Sequence, residues 1–330
     1  MKILYGIQGT GNGHISKAET IYPILKQYGE VDVMVSANNF SLTPSFPIHF
    51  HKTGISFVTT NGKVDYWASL KALNIWAFVR DLNTFPFTYY DLVVSDFEPL
   101  SAWGAKLKGV PSLQISHQAS FYCKKTPRPA TKNWIAELII KYFAPTDDYI
   151  GIHFERYSEK ISEPIIKKHL FSIQTTEKKH ITVYLPYDAD LTLLKVFSEF
   201  KDFQFHVFKP SIKTEYRQEN VQFCVVSDQG FSDSLSTSFG VICNAGFETP
   251  AEALFLGKRL LVIPLGNQYE QECNASALKR FGVTVLKTLD IKHKNRIEQW
   301  MDSEPSKVNF DHSMSELIGQ SIGDLTLSKL

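Results

Sequence analysis

The alternation of short apolar strands with amphipathic helices, begun at residue 2 and begun again near residue 181, constrains this chain more than any other feature. Residues 2–7 read as a buried strand and residues 8–14 as a glycine-rich turn. Residues 15–28 put Ile15, Ala18, Ile21, Ile24 and Leu25 at helical spacing, and residues 31–35 form a second apolar run. That is a βαβ unit, the opening of a parallel sheet. A second unit has a strand at 91–95 leading to Asp96, a helix at 100–107 closed by Gly109, and a strand at 110–116. A further strand falls at 149–154. The series restarts with strand 181–185, helix 191–200 and strands 203–208 and 221–225. Strand 240–243, helix 249–256 and strand 260–264 follow, and the chain is mainly helical from Gln268 onward. The expected fold class is therefore α/β: two Rossmann-like, doubly wound domains facing a central cleft. The division is placed in the stretch 155–164, giving domains 1–155 and 156–330, with the last helix expected to pack back on the first domain.

The charge balance narrows the classes of activity. With 35 basic against 34 acidic residues, the chain lacks the basic excess of a general nucleic-acid binder, so no nucleic-acid partner is expected. Cys123, Cys224, Cys243 and Cys273 contain no C-x-x-C pair and read as reduced, buried thiols. The opening Met1-Lys2-Ile3-Leu4-Tyr5-Gly6 lacks the pattern of a secretory leader, and no run of about 18 apolar residues occurs. A cytoplasmic location is the expectation.

Gln8-Gly9-Thr10-Gly11-Asn12-Gly13-His14 lies between the first strand and the first helix. Glycines there allow a tight turn and close backbone approach to a ligand, and the helix start offers free N–H groups to an anion. His14 would stand at the carboxyl edge of the sheet, where an imidazole titrating near neutrality can act as a general base. Asp96 ends another strand of the same domain and would point into the same cleft. A carboxylate on the far ring nitrogen orients an imidazole and stabilises its charged form. Plainer readings exist for both, as caps of the helices that follow them. A dinucleotide site is a third reading. It needs G-x-G-x-x-G/A and an acidic residue ending the second strand. Gly9 and Gly11 supply two glycines, but His14 occupies the third position and Asp32 lies early in its strand.

The second domain carries the more specific pattern. The strand at 240–243 leads into Asn244-Ala245-Gly246-Phe247-Glu248-Thr249-Pro250-Ala251-Glu252-Ala253. Gly246 would permit the turn, Thr249 would cap the helix, and Pro250 suits its first turn. Such a helix start can hold a diphosphate through backbone N–H groups and the helix dipole. Glu252, about one turn on, can reach ribose hydroxyls, which donate to a carboxylate. After the strand at 260–264, Asn267, Gln268, Glu270 and Gln271 cluster at the same edge and suit a sugar's hydroxyls. A solvated helix start is the plainer reading of that cluster.

These residues carry a resemblance. The segment from Asn244 to Ala275 is similar to the donor signature of inverting GT-B glycosyltransferases. Within them it looks like the family 28 group, which includes the N-acetylglucosaminyltransferase of peptidoglycan-lipid synthesis, and the related glucuronosyltransferase-like enzymes. Gly246, Thr249, Glu252, Ala253, Gly257, Pro264, Glu270, Gln271, Asn274 and Ala275 fall in register with it. The loop from Gln8 to His14 resembles the acceptor-side glycine loop, and Asp96-Phe97 resembles the strand-end Asp segment. The resemblance implies a GT-B fold and sugar transfer from a nucleoside-diphosphate sugar, UDP-linked as first choice, to a hydroxyl acceptor. It implies that Glu252 holds the ribose, that Glu270 and Gln271 meet the donor sugar, and that His14 is the base. Two positions depart from the pattern. Asn244 stands where many relatives have His or Arg near the phosphates, and Lys258-Arg259 replaces a small residue and proline.

Other features are weaker. Asp188-Ala189-Asp190 matches the D-x-D of metal-dependent transferases but opens a helix, where Asp is a common cap. His49 and His51 lack a third ligand. No metal and no cofactor are expected. Phe223 and Phe231 could flank a nucleobase, with core packing the plainer reading. Aromatic and basic residues combine at 67–87 and at 124–143, where Lys124, Lys125, Arg128 and Lys132 precede Trp134, Ile135, Leu138 and Ile139. A helix packed on its own domain is the plainer reading there. The alternative is peripheral contact with an anionic inner membrane face, where a lipid-linked acceptor would lie. The expected activity is inverting, metal-independent glycosyl transfer, with His14 as base oriented by Asp96. A UDP-sugar epimerase of the same fold and a non-catalytic nucleotide-sugar binder are the alternatives.

Overall fold

The computed structural model describes residues 1–10, 12–39, 43–55, 58–60, 63–65, 74–310 and 314–327. The first part of the chain runs β1 (Lys2–Thr10), α1 (Asn12–Leu25), β2 (Glu30–Asn39), β3 (Phe50–Lys52), β4 (Val58–Thr60), β5 (Lys63–Asp65), α2 (Ile75–Thr84), β6 (Leu92–Asp96), α3 (Pro99–Lys108), β7 (Ser112–Ser116), α4 (Trp134–Tyr142), β8 (Asp148–Ile152) and β9 (Ile161–Ser162). The second part runs β10 (His180–Tyr184), α5 (Asp190–Phe197), β11 (Gln204–Phe208), β12 (Tyr216–Gln218), β13 (Val221–Cys224), α6 (Asp228–Thr237), β14 (Gly240–Asn244), α7 (Glu248–Phe255), β15 (Arg259–Ile263), α8 (Tyr269–Leu278), β16 (Thr284–Val285), α9 (Lys294–Met301) and α10 (Met314–Leu327).

The first part forms a seven-stranded sheet in the order β3-β2-β1-β6-β7-β8-β9, parallel throughout. The second forms another seven-stranded sheet, β12-β13-β11-β10-β14-β15-β16, in which the β12–β13 pair is antiparallel. In each sheet the strand order reverses beside the opening strand, between β1 and β6 and between β10 and β14. Ligands of open α/β sheets bind at such points, outside the carboxyl ends of the strands.

Period-2 alternation builds a core on both faces of each sheet. Along β1, Ile3, Tyr5 and Ile7 pack with Ile15 and Ile21 of α1 and with Ile318 and Ile322 of α10. Leu4 points the other way, against Phe85, Phe87 and Leu100. Along β14, Ile242 joins Phe197, Phe205 and Trp300, while Val241 and Cys243 join Leu254 and Leu278. Helix α3 shows how local chemistry sets an element. The Glu98 side chain caps it by accepting from Leu100 N and Ser101 N, Pro99 occupies its first turn, and Gly109 ends it at φ 66.

The structure redraws several boundaries. Strand β1 runs to Thr10, because its parallel pairing with β2 continues past Gln8 to Thr10↔Asn39. Gln8, Gly9 and Thr10 are therefore strand, and Asn12, Gly13 and His14 form the first turn of α1; Gly11 lies outside the described residues. Pairing of β9 with β8 carries the first sheet beyond residue 155 to Ser162, a strand too short to show periodicity. Helix α7 begins at Glu248, with Phe247 at its N-cap and no side-chain cap. Thr249 is thus inside the helix and does not cap it. Among the described residues no helix is long and apolar enough to cross a membrane.

Candidate functional site

The carboxyl ends of both sheets open into one cleft of about 870 Å³, bordered by residues of both domains. On the first domain's wall, β1 and β6 are neighbours, with Ile7 opposite Asp96 in register. His14, in the turn after β1, is thereby brought to the end of β6. His14 Nδ1 lies 3.0 Å from Asp96 Oδ2, and neither atom has another hydrogen-bond partner. Nε2 is the ring nitrogen left for a substrate. Asp96 is fully buried and does not cap α3, a role taken by Glu98.

Lys17, one helical turn beyond His14, places Nζ 2.6 Å from the other carboxylate oxygen, Asp96 Oδ1. Burial alone would raise the Asp96 pKa, but Lys17 and His14 outweigh it and hold the carboxyl below its ordinary value. Phe97 follows with φ 53 and stacks on Phe143 at 4.9 Å. Beyond it, Ala136, Ile139 and Ile140 of α4 give this wall an apolar surface.

Of the acceptor-side loop, Thr10, Gly13 and His14 border the cleft. Gly9 does not border it. A Cβ there would meet the Ala37 carbonyl at 2.5 Å, so this glycine serves strand packing. A Cβ on Gly13 would meet Glu248 Oε1 at 2.9 Å. The first turn of α1 thus faces the Glu248 side chain at the start of α7 across the cleft.

On the second domain's wall, Asn244, Gly246, Phe247, Glu248, Thr249 and Glu252 all border the cleft. Gly246 has no left-handed φ, and a Cβ there would meet nothing within 4 Å. It is not needed for the turn; it leaves the approach to the α7 backbone open. The uncapped N–H groups of α7 face that space. Ala245 is fully buried, and its carbonyl accepts from Asn274 Nδ2. The Asn244 amide donates to the Ile263 carbonyl at 2.9 Å, so it braces β15 with the group that was expected to meet phosphate.

Glu252 is 6% exposed and pairs with Lys167 Nζ at 3.2 Å. Burial raises the Glu252 pKa, with Lys167 opposing. Burial also raises that of Glu248, and the neighbouring Glu252 adds to the rise, while Lys17, Lys167 and His14 oppose it. Two carboxylates at a helix start that should welcome an anion are thus offset by one lysine from each side.

Asn267 (φ 60) and Gln268 border the cleft before α8. The Gln271 Oε1 accepts from Leu265 N at 2.9 Å and fixes its own loop. Glu270 reaches the first domain, accepting from Gln118 Nε2 at 3.0 Å. Tyr269 does likewise, donating to Glu137 at 2.7 Å. His117 joins the domains most closely. Its Nδ1 lies 2.7 Å from the Ile152 carbonyl, its Nε2 lies 2.8 Å from Asn274 Oδ1, and Phe247 stacks on its ring at 4.1 Å.

Sequence reasoning missed Lys17, His117, Gln118, Lys167 and Tyr187. Lys17 was findable, since positions i and i+3 share a helix face; the others lie in turns and linkers without a periodic signal. Phe223 is fully buried in the core, and neither it nor Phe231 borders the cleft; Tyr184 and Tyr187 do. The D-x-D pair is engaged by Lys209, which donates to the Asp188 carbonyl and pairs with Asp190. Among the described residues no group of three His, Cys, Asp or Glu side chains is placed to hold a metal.

A family model described as glycosyl transferase family 1 matches residues 1–305. No curated protein sequence matches the chain. Among solved structures, the glycotransferase of kitacinnamycin superposes with a TM-score of 0.57 at 13% identity, covering 99% of this chain and 95% of that one. The glycosyltransferase VinC, solved with dTDP, gives 0.53 at 14% identity, covering 99% and 100%. MurG of Acinetobacter baumannii gives 0.52 at 12% identity, covering 99% and 94%. At such identities the likeness establishes the fold alone, which is GT-B along the whole chain.

Proposed function

This chain belongs to glycosyl transferase family 1, and from that premise we propose that it transfers a sugar from a nucleoside-diphosphate sugar to a hydroxyl acceptor, with inversion and without a metal ion. The observation that carries this reading is the facing of two walls in one cleft. The His14–Asp96 pair stands on one side and the uncapped start of α7 on the other.

The donor diphosphate lies against the α7 N–H groups, with Lys17 and Lys167 supplying the positive charge that Asn244 lacks. Glu252 accepts from the ribose, and Tyr184 and Tyr187 border the base. The domains exclude water around the reacting centre. His14 Nε2 takes the acceptor's hydroxyl proton while Asp96 stabilises the imidazolium. The acceptor oxygen attacks the anomeric carbon from the face opposite the diphosphate. The bond to the diphosphate breaks, and the helix start takes up the released charge. UDP is the first choice of nucleotide from the family 28-like donor motif, with dTDP beside it because VinC was solved with that nucleotide.

An amphiphilic, lipid-linked acceptor suits α4. Ala136 and Ile140 of this helix border the cleft, while Trp134 is 69% exposed and Ile135, Leu138 and Tyr142 are exposed beside it. Lys124, Lys125, Lys132 and Lys141, near that helix in sequence or within it, are exposed too. Co-sedimentation with phosphatidylglycerol vesicles but not phosphatidylcholine vesicles is expected, and no sedimentation with either removes the membrane reading.

The test of the whole is calorimetric titration with UDP, dTDP, GDP and NAD, each with and without EDTA. Binding of UDP or dTDP that ignores EDTA is expected. Preference for NAD, or a requirement for metal, overturns the proposed chemistry. NMR of the donor with no acceptor present separates an epimerase, which alone would convert the sugar.

A further inference from the structure

Gln118 is 8% exposed and borders the cleft, yet its Oε1 is buried with no hydrogen-bond partner among the described residues. A buried acceptor left unpaired is costly. The other end of the amide is committed. Gln118 Nε2 donates to Glu270 Oε2 at 3.0 Å, across the cleft. The neighbouring His117 Nε2 stands 3.8 Å from Glu270 Oε1. Its ring is fixed between the Ile152 carbonyl and Asn274 Oδ1 and stacked by Phe247. The bond to Glu270 fixes the amide's orientation, with Nε2 toward the carboxylate and Oε1 on the other side.

We propose that Gln118 is a specificity-determining residue for the transferred sugar. Its Oε1 accepts from one hydroxyl of the donor's sugar ring, and its Nε2 holds Glu270 to accept from the neighbouring hydroxyl. This rests on the donor-site reading of Glu270. Two adjacent acceptors joined by a hydrogen bond match a vicinal diol, which offers two donors. They do not match a diphosphate, which offers acceptors alone. Gln118 comes from the first domain and Glu270 from the second, so the sugar is read by both. A sugar with either hydroxyl misplaced leaves a buried acceptor unpaired, and sites built that way reject such analogues strongly.

The experiment measures dissociation constants of UDP and of UDP-glucose, UDP-galactose and UDP-N-acetylglucosamine (or the dTDP series, if the wild type binds that nucleotide). The proteins are the full-length wild type, Gln118→Met, Glu270→Gln and the double variant. In Gln118→Met, the nucleotide alone should bind within about twofold of wild type. The sugar nucleotide that wild type binds tightest should weaken about tenfold. The double variant should lose less than the product of the two single losses, because the side chains act as a pair. A wild-type ratio of sugar-nucleotide to nucleotide affinity in Gln118→Met means that water alone satisfies Oε1; the proposal falls and the donor site stands. A wild type that binds no nucleotide removes the donor site and the proposal together. Should Gln118→Met not fold, Gln118→Ala carries the same test, since it also removes both ends of the amide.

Discussion

Lys17 and His14, one turn apart on α1, hold opposite oxygens of the single carboxylate of Asp96, at 2.6 and 3.0 Å. The buried acid thus meets an ammonium group on one oxygen and an imidazole on the other. Lys17 and His14 together favour the ionised form of Asp96.

Replacing His14 with Ala should lower turnover by about 10²–10⁴-fold, the range of general-base catalysis, with nucleotide affinity unchanged. Initial rates and calorimetry on the same preparation decide it. Turnover within a factor of two of wild type removes His14 as the base.

Lys17→Met should shift the acid limb of the kcat/KM profile to higher pH. The folded Asp96 pKa lies below its ordinary value because of Lys17 and His14, despite burial. Its stabilising contribution is full above the ordinary Asp value and is lost as pH falls through the depressed one. Without Lys17 the carboxyl protonates at higher pH, and His14 loses its partner there. Acid unfolding, followed by circular dichroism, should begin at higher pH in step.

Glu252→Gln should weaken UDP or dTDP binding by about tenfold or more, because hydrogen bonds to a charged acceptor outweigh neutral ones. Titration against wild type measures this directly. Equal affinities take Glu252 off the ribose.

Nucleotide affinity should strengthen as pH falls from alkaline values toward the ordinary Glu value. Burial raises the pKa values of Glu248 and Glu252 above the ordinary Glu value, and the neighbouring Glu252 raises that of Glu248 further. Protonating Glu248, which makes no ribose contact in this reading, removes a negative charge facing the diphosphate. The same shifts make the ligand-free protein gain stability as pH falls through the raised values toward the ordinary one. Glu248→Gln should tighten binding at pH 8 and flatten the slope; an unchanged slope refutes the assignment to Glu248.

Gly104→Ala should destabilise by about 1–3 kcal/mol, the usual range for overpacking a core. A Cβ there would stand 2.1 Å from Phe87 Cζ, and Phe87 is 1% exposed against Phe85 and Leu100. Urea denaturation gives the value.

The sequence was informative where burial imposes a period. Apolar runs around Ile7, Val94, Val183, Ile242 and Leu261 located the central strands, because strands covered on both faces must be apolar throughout. Gly109 marked the end of α3 for reasons internal to the chain. The glycine loop was misjudged in extent because Gly9 serves strand packing and Gly13 serves contact with another domain; both look alike in one dimension. Glu248 and Gln118 face partners more than a hundred residues away, and no local pattern encodes such a meeting. The edge strands β9, β12 and β16 were invisible because two or three residues cannot display alternation.

The return of α10 to the first domain, where Ile318 and Ile322 pack beneath β1, means that the polypeptide crosses between the two bodies twice, once after Ser162 and once after α9. A body tethered at one point can tumble; a body tethered at two swings like a door about the line through both hinges. Any relative rotation of the two bodies must satisfy both crossings at once, which restricts it more than a single crossing would.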